Sequence, residues 1–592
     1  MKPESTSASG TLVITPRFPW LVVIPVILAG TIARGCLLFS TPLMPGINGA
    51  YYLVQSRSLL EHFRLGIPDL PLAFCVQAVL AKIIQVCSGM SLDASVILAV
   101  KLEDTIFPAL VALPVFALVW RWAMRNGRDL WLPVCAGLAV AAGAPALRMV
   151  GDFEKNSLAL VWLAALLWSL HGWLEQPSTR RAVLPVLFLG LTGLTHIGVF
   201  GWAVVLAGFA ATVALWRSPA ATRRTILPWL FAGVVACATA ASIVLWKFDP
   251  ARVQRLGTAL AHPLSYLSQN QAGQSSIPGA SRTQPPQPFP GGGNFQPPGM
   301  SQNGFGPGRP GGFPGGGPPG MMMGRMSWLS GAALLAAGVA ALATIWFRRK
   351  TLTVGDIAVV VGCAIGLIVL SGPWVTGDKV MRFQLIAVGP AVLCAAFALS
   401  QLRWAIVRNS LAVVAALALV VPGVMLAARG GHPVITLEAA DELHQLSEQL
   451  PAPEKTLVVA RHGLEWWTAW YLHTHIAHMN AVTDDDWKNF DHVYFLRQNG
   501  GMPGGPGMAG GPRHIRPGGQ RDPGNAPGFP GMPPGGFNGR PPGPGGGAFG
   551  EPTIPAAAKI THDGKYFTLA LVPTPVTFPS GPGRAFAGGP QP

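Results

Sequence analysis

Gly151-Asp152-Phe153-Glu154-Lys155-Asn156 interrupts an otherwise apolar part of the chain, between an Ala/Gly-rich run at 129–149 and a second apolar run at 157–174. Each run is long enough to cross a hydrocarbon core of about 30 Å as a helix. Two acids and a lysine are costly at such a depth unless they are solvated, paired or put to use. The stretch therefore reads as a helical hairpin whose turn carries charge at a membrane surface.

The same pattern recurs along the chain. Half of the 592 residues are hydrophobic and only 11% are charged, against about 25% in soluble proteins. Apolar runs at 19–40, 100–122, 129–149, 157–174, 182–198, 199–216, 226–246, 327–347, 354–371, 380–401 and 409–428 are expected to span. The first lacks a small-residue cleavage site and reads as a retained span rather than a signal peptide. The expected fold class is a polytopic α-helical membrane protein of about eleven transmembrane helices. Interfacial helices are expected in its first external loop, and a small α/β extracytoplasmic domain at its C-terminus.

The formal net charge of +16 does not point to nucleic acid, because most arginines sit at the ends of apolar runs. With residues 1–18 in the cytoplasm, the inner loops hold Arg121, Arg125 and Arg128, then Arg180 and Arg181. Next come Arg217, Arg223 and Arg224, then Arg348, Arg349 and Lys350, and finally Arg403 and Arg408. Every second loop is basic, as the positive-inside rule requires of a multi-pass protein of the inner or plasma membrane. The other loops fall outside: 41–99, 150–156, the 196–199 turn, 247–326, 372–379 and the tail after about residue 429. Within 41–99, residues 50–63 interleave Arg57, Glu61, His62 and Arg64 with apolar and aromatic side chains, the spacing of a helix lying in the interface. Residues 70–88 fit an interfacial helix better than a span, since a crossing there would break the alternation of charge. The seven cysteines, Cys36, Cys75, Cys87, Cys135, Cys237, Cys363 and Cys394, lie in apolar segments without metal-ligand spacing and read as small buried hydrophobes.

Residues 269–325 and 499–552 are Gly/Pro-rich without a collagen period. Such composition cannot bury enough surface to offset ordering entropy, so both are expected to be disordered inserts on the outer side. In the tail, 431–592, strands are expected at Leu457–Ala460, His492–Leu496 and Lys565–Val572, with a short helix at Glu465–Leu472. Without its insert the tail is long enough for a small α/β domain.

Three charged clusters land on the outer face. The first loop holds Pro45-Gly46-Ile47-Asn48-Gly49-Ala50-Tyr51-Tyr52 and ends at Asp69; the second cluster is Asp152, Glu154 and Lys155; the third is Asp378, Lys379 and Arg382. His196, in a turn between two spans, lies on the same side. Plain structural roles compete for each: a solvated loop for the acids, a snorkelling anchor for Arg382, a turn residue for Asn48 and for His196. Trp466, Trp467 and Trp470 suit core packing or an interface belt as well as sugar stacking. Asp484-Asp485-Asp486 reads as a solvated turn.

On these features the chain resembles the GT-C superfamily of membrane glycosyltransferases, which includes protein mannosyltransferases, aminoarabinose transferases and oligosaccharyltransferase catalytic subunits. The resemblance covers about residues 15–430, with a soluble domain after the last span, and the 19–430 region is read as the GT-C-like transmembrane domain. It implies transfer of a sugar from a polyprenyl-phosphate-linked donor to an acceptor on the extracytoplasmic face. Asp152 and Glu154 match the second-loop acidic motif, and the resemblance implies catalysis there, with a divalent metal, Mg or Mn, held by the same pair. Arg382 is similar to the phosphate-facing arginine, with Lys155 and His196 beside it as further donor-phosphate candidates. Gly46-Ile47-Asn48-Gly49 resembles the first-loop Gly-X-Asp pattern, with Asn48 at the carboxylate position; an amide is neither a base nor a full charge for a metal, so either Asp69 or Glu61 substitutes or Asp152 and Glu154 carry the catalysis alone. Tyr51, Tyr52, Trp466 and Trp467 are candidate contacts to acceptor or sugar. The departure at Asn48 keeps a second reading open, a catalytically impaired lipid-binding or envelope scaffold protein. A transporter or flippase is the third, disfavoured by the absence of a two-fold repeat and of charges in mid-span.

Overall fold

The structure, a computed structural model, describes residues 18–125, 130–248, 319–372, 374–375, 378–478, 489–499, 554 and 557–572. Most of the two Gly/Pro-rich inserts, and the aspartates at 484–486, lie outside these residues, as do the side chains of Asp378 and Lys379.

Helices α1 (Trp20–Leu38), α2 (Gly49–His62), α3 (Leu72–Ser88), α4 (Leu92–Ile106), α5 (Ala112–Arg125), α6 (Trp131–Ala141) and α7 (Ala144–Leu147) form the first half. They are followed by α8 (Glu154–Glu175), α9 (Thr179–Thr195), α10 (Ile197–Arg217), α11 (Ala220–Phe248), α12 (Pro319–Arg348), α13 (Val354–Ser371), α14 (Asp378–Ser400) and α15 (Ala405–Arg429). The chain is a multi-pass membrane protein. Among the described residues, 8 helices are long and apolar enough to cross a membrane, fewer than the eleven expected. The run at 129–149 is cut into α6 and α7 where Gly143, extended at φ −68° and ψ 150°, precedes Pro145. The run at 182–198 becomes the 17-residue α9, which is basic at its start. The expected span at 100–122 is part of a longer apolar stretch, Leu92–Arg125, which turns through a 3-10 segment at Pro108–Val111. Proline has no amide to continue the helical ladder, which explains the turn. The two apolar stretches of the first loop are the helices α2 and α3, and α3 is too short to count among the 8.

The helices pack without a water-driven core between them, so close approach matters most. A Cβ added at Gly362 of α13 would lie 2.6 Å from the Leu206 carbonyl oxygen of α10. The glycine is therefore what lets these two helices touch backbone to backbone. The outer face of α1, with Leu21, Ile24, Leu28 and Ile32 exposed, is left for lipid. Cys135, Cys363 and Cys394 are buried as expected, but Cys36 and Cys87 are exposed on their helices, and all six described cysteines are free. In lipid an exposed thiol costs little, so apolar context does not imply protein burial.

After α15 the chain forms α16 (Leu437–Ser447), β1 (Thr456–Ala460), α17 (Leu464–Leu472), β2 (His475–His478), β3 (His492–Gln498), β4 (Lys559–Asp563) and β5 (Phe567–Leu571). The sheet order is β2-β1-β3-β5-β4. β1 runs parallel to β2 and β3, and β5 is antiparallel to β3 and β4. The strand expected at Lys565–Val572 is β5, while α16, β2 and β4 add to the expected elements.

This domain does not hang from the membrane helices on a tether. Gly46 in the first loop donates its N–H to the His432 carbonyl at 3.1 Å and pairs as a parallel bridge with Pro433. One continuous apolar cluster runs from Leu38, Met44, Leu53 and Phe74 to Ile435, Leu443, Trp467 and Leu569. The first loop, the 148–153 turn and the C-terminal domain are thereby one packed unit.

Beneath it lies a buried ion pair. Arg34 of α1 pairs with Asp104 of α4, with side-chain exposures of 1% and 0%. Asp104 also accepts the Gly151 N–H at 3.1 Å, and Arg34 donates to the Ala146 carbonyl at 3.0 Å. Removing one partner of such a pair leaves an uncompensated charge. Asp104→Ala should therefore cost about 3–5 kcal/mol, read as a lowered thermal unfolding midpoint in detergent; a variant as stable as the parent would show that the pair does not hold the turn.

Candidate active site

The 151–156 turn is built to meet the first loop. Gly151 and Gly46 both have positive φ, 76° and 87°, the left-handed region that costs glycine nothing. They are also back to back, since a Cβ on Gly46 would lie 2.8 Å from Asp152 Oδ1. Asp152 Oδ1 accepts the N–H groups of Ile47, at 2.5 Å, and Asn48, at 2.9 Å. Burial raises the Asp152 carboxyl from its ordinary value, and these two backbone donors oppose the rise. Asn48 takes the N-cap position of α2 without a side-chain cap bond. An aspartate there would set a second carboxylate beside Asp152, so the neutral amide fits its surroundings.

Asp69 and Lys155, 86 residues apart in sequence, form a half-buried ion pair, and the Tyr51 hydroxyl donates to the same Asp69 oxygen. The other Asp69 oxygen accepts the Leu70 N–H at 2.7 Å. Gln55 fixes the loop by donating to the Ile67 carbonyl at 2.8 Å and accepting the Ile67 N–H at 3.1 Å. The Lys155 ammonium also lies 5.3 Å from the ring centres of both Tyr51 and Phe74, a cation–π arrangement.

Tyr51 and Asp69 face a cleft of about 440 Å³ between the first loop and the C-terminal domain. Trp466, Trp470, His462 and Glu465 line its far wall. Trp466 packs edge-on against Tyr51 with ring centres 4.9 Å apart. Arg382, exposed at the start of α14, stands 5.8 Å from the ring centre of Phe153. His462 feels the charges of both Asp152 and Arg382. Asn48, Asp152, Arg382 and the Asp69–Lys155 pair are thus gathered around one turn.

Other expected site residues go elsewhere. Glu154 begins α8, is 1% exposed, and accepts from Gln77 at 3.0 Å. The same Gln77 amide donates to Glu103 at 3.0 Å. Asp152 and Glu154 therefore face different partners, and the pair does not fit a shared metal ion. Tyr52 is 3% exposed and Trp467 fully buried, both in the apolar core. His196 caps α10 by accepting the Val199 N–H at 3.2 Å, and it is not among the residues lining the cleft.

A polar cluster that hydropathy does not reveal sits at the other end of α8. The ligand-type atoms of His171, Glu175 and Asp356 lie within 4.8 Å of one another. Asp356 already accepts from Arg125 at 2.7 Å, Trp122 at 2.8 Å and His171 at 2.8 Å. With a guanidinium already neutralising the acids, the cluster reads as an ion-pair lock joining α5, α8 and α13.

Asp152→Ala should free both loop amides and lower stability by about 1–3 kcal/mol, whereas Asp152→Asn keeps an acceptor and should cost less. Stability drawn from the raised Asp152 carboxyl is full below about pH 3.9 and lost as pH rises through the raised value. Asp152→Asn should remove that dependence. Unfolding midpoints of both variants across the acid range check this, and equal losses at every pH would contradict it.

No family model matches the chain, and no curated protein matches it. Solved structures of similar overall shape exist. The oligosaccharyltransferase of Archaeoglobus fulgidus in complex with zinc and sulfate is 15% identical over 80% of this chain and 67% of its own, with a TM-score of 0.46. ArnT from Cupriavidus metallidurans bound to undecaprenyl phosphate is 12% identical over 80% of this chain and 92% of its own, with a TM-score of 0.44.

Proposed function

We propose that the chain is a membrane glycosyltransferase that moves a sugar from a polyprenyl-phosphate-linked donor to an acceptor. The reaction takes place at the face carrying the C-terminal domain, which the arginine distribution puts outside the cytoplasm. The observation that carries this reading is the aromatic-walled cleft with the Asp69–Tyr51–Lys155 set at its edge and Arg382 nearby. A lipid phosphate at the interface would meet Lys155 and Arg382. As the bond from phosphate to the anomeric carbon breaks, negative charge grows on the phosphate, and these cations stabilise it. Tyr51, Trp466 and Trp470 offer flat apolar faces of the kind that stack on sugar rings.

Asp69 is poorly placed to act as a base, because Lys155 and Tyr51 occupy one of its oxygens and the Leu70 N–H the other. Its role is to hold Lys155 and Tyr51 in place. No step is assigned to a metal, since the acids of the turn do not converge on one point.

A second reading, a lipid-binding scaffold without turnover, draws on two observations. Position 48 carries an amide, and Asp152 spends one oxygen on backbone N–H groups. Transfer assays in proteoliposomes with a panel of undecaprenyl-phosphate-linked hexoses and pentoses decide between the two. Lys155→Met should lower turnover about 10²–10³-fold, and Asp69→Asn should do the same to a smaller extent. No transfer by the parent protein, together with an unchanged envelope glycan profile in a deletion strain, would leave the scaffold reading.

A further inference from the structure

Transfer to a hydroxyl acceptor needs a group to accept its proton, and among the described residues the acids on the membrane side are already engaged. Asp69 is ion-paired, Asp152 is fastened to two amides, Glu154 is buried under the turn, and position 48 is an amide. A histidine paired with an acid stands across the cleft. His462 precedes α17, and its Nδ1 lies 2.7 Å from Glu465 Oε1, a residue one helical turn further on. The Glu465 side chain is 6% exposed, whereas His462 is 34% exposed. The second Glu465 oxygen is buried without a hydrogen-bond partner among the described residues. The first Glu465 oxygen is an acceptor for an Nδ1–H, and this contact favours the tautomer that carries its proton on Nδ1. Nε2 is then the basic nitrogen. Both residues line the cleft.

We propose that His462 is the general base of this enzyme, oriented by Glu465, so that the C-terminal domain supplies a catalytic residue. The proposal rests on the glycosyl-transfer reading above. His462 Nε2 takes the proton of the acceptor hydroxyl as its oxygen bonds to the anomeric carbon. The bond from that carbon to the phosphate oxygen breaks, and its electron pair leaves on the polyprenyl phosphate beside Lys155 and Arg382. A buried carboxylate behind an imidazole is the arrangement that hydrolases use to raise the basicity of a histidine at a fixed position.

The groups facing His462 support this. Glu465 on α17 and Asp152 on the 151–156 turn favour the imidazolium, whereas Arg382 on α14 and burial oppose it; the Glu465 hydrogen bond is the largest influence, and the balance raises the His462 value. Asp69, Glu61, His62 and Arg57 share the cleft. Stability linked to this shift is full below about pH 6.5 and lost as pH rises through the raised value.

Two measurements on the full-length protein in nanodiscs test the proposal. The first needs no substrate: the rate of His462 carbethoxylation by diethyl pyrocarbonate, mapped by mass spectrometry against pH. The midpoint should lie above about 6.5 in the parent and fall in Glu465→Gln; a midpoint at or below the ordinary value, unmoved by that substitution, overturns the dyad. The second is transfer from the donor panel above. His462→Gln should lower turnover about 10²–10⁴-fold with undecaprenyl phosphate binding unchanged, flatten the acid limb of the pH–rate profile, and leave the protein folded. His462→Gly should regain turnover with added imidazole. Parent-like turnover in a folded His462→Gln overturns the role of His462 while leaving glycosyl transfer intact. Inactivity of the parent on every donor overturns the transferase reading and the base together, whatever the first measurement gives.

Discussion

Asp152 spends one carboxylate oxygen on the backbone amides of Ile47 and Asn48, and much of the half of the molecule that carries the C-terminal domain hangs on that contact. It ties the turn before α8 to the loop before α2. Asp104 holds the same turn from below through the Gly151 amide. With the turn fixed at two points, Lys155 is delivered to Asp69, and the loop that carries Gly46 is presented to the residues after α15, where it pairs with Pro433. A carboxylate accepting backbone N–H bonds at a half-buried site makes a stronger bond than a neutral acceptor would. Two glycines of positive φ let the chains come close enough to form it.

The membrane helices were legible because a lipid-embedded helix must be apolar along its whole length. α8, α10 and α13 begin and end within a few residues of their apolar runs. The breaks inside those runs were not legible, because Gly143, Pro145 and Pro108 turn the chain within stretches that hydropathy reads as continuous. In the C-terminal domain, β1, α17, β3 and β5 carried local patterns. β2 and β4 did not: they are the two edge strands of the sheet, and their places come from pairing with β1 and β5 rather than from their own composition.

The candidate site divides in the same way. Asp69, Lys155, Tyr51, Trp466 and Arg382 could each be named from chemistry at a membrane edge. Their grouping could not, because Asp69 and Lys155 are 86 residues apart. Glu154 sits only two positions after Asp152, yet the helix begins between them and sends it to Gln77, a separation that sequence spacing does not show. The place of His462 at the cleft was not legible, because no apolar run frames it. Its one local signal is an acid three residues later at the start of a helix, the spacing at which side chains meet.

α8 connects two polar anchors. It starts at the Lys155–Asp69 pair and ends at the His171–Glu175–Asp356 lock with Arg125. Its 22 residues make a rod of about 33 Å, close to the thickness of a bilayer's hydrocarbon core. Pinned at both ends, this helix cannot tilt or slide to suit a thinner or thicker membrane without breaking one of its ion-paired ends. The cost of mismatch falls on the surrounding lipid, so the candidate site keeps its geometry while the bilayer around it adjusts.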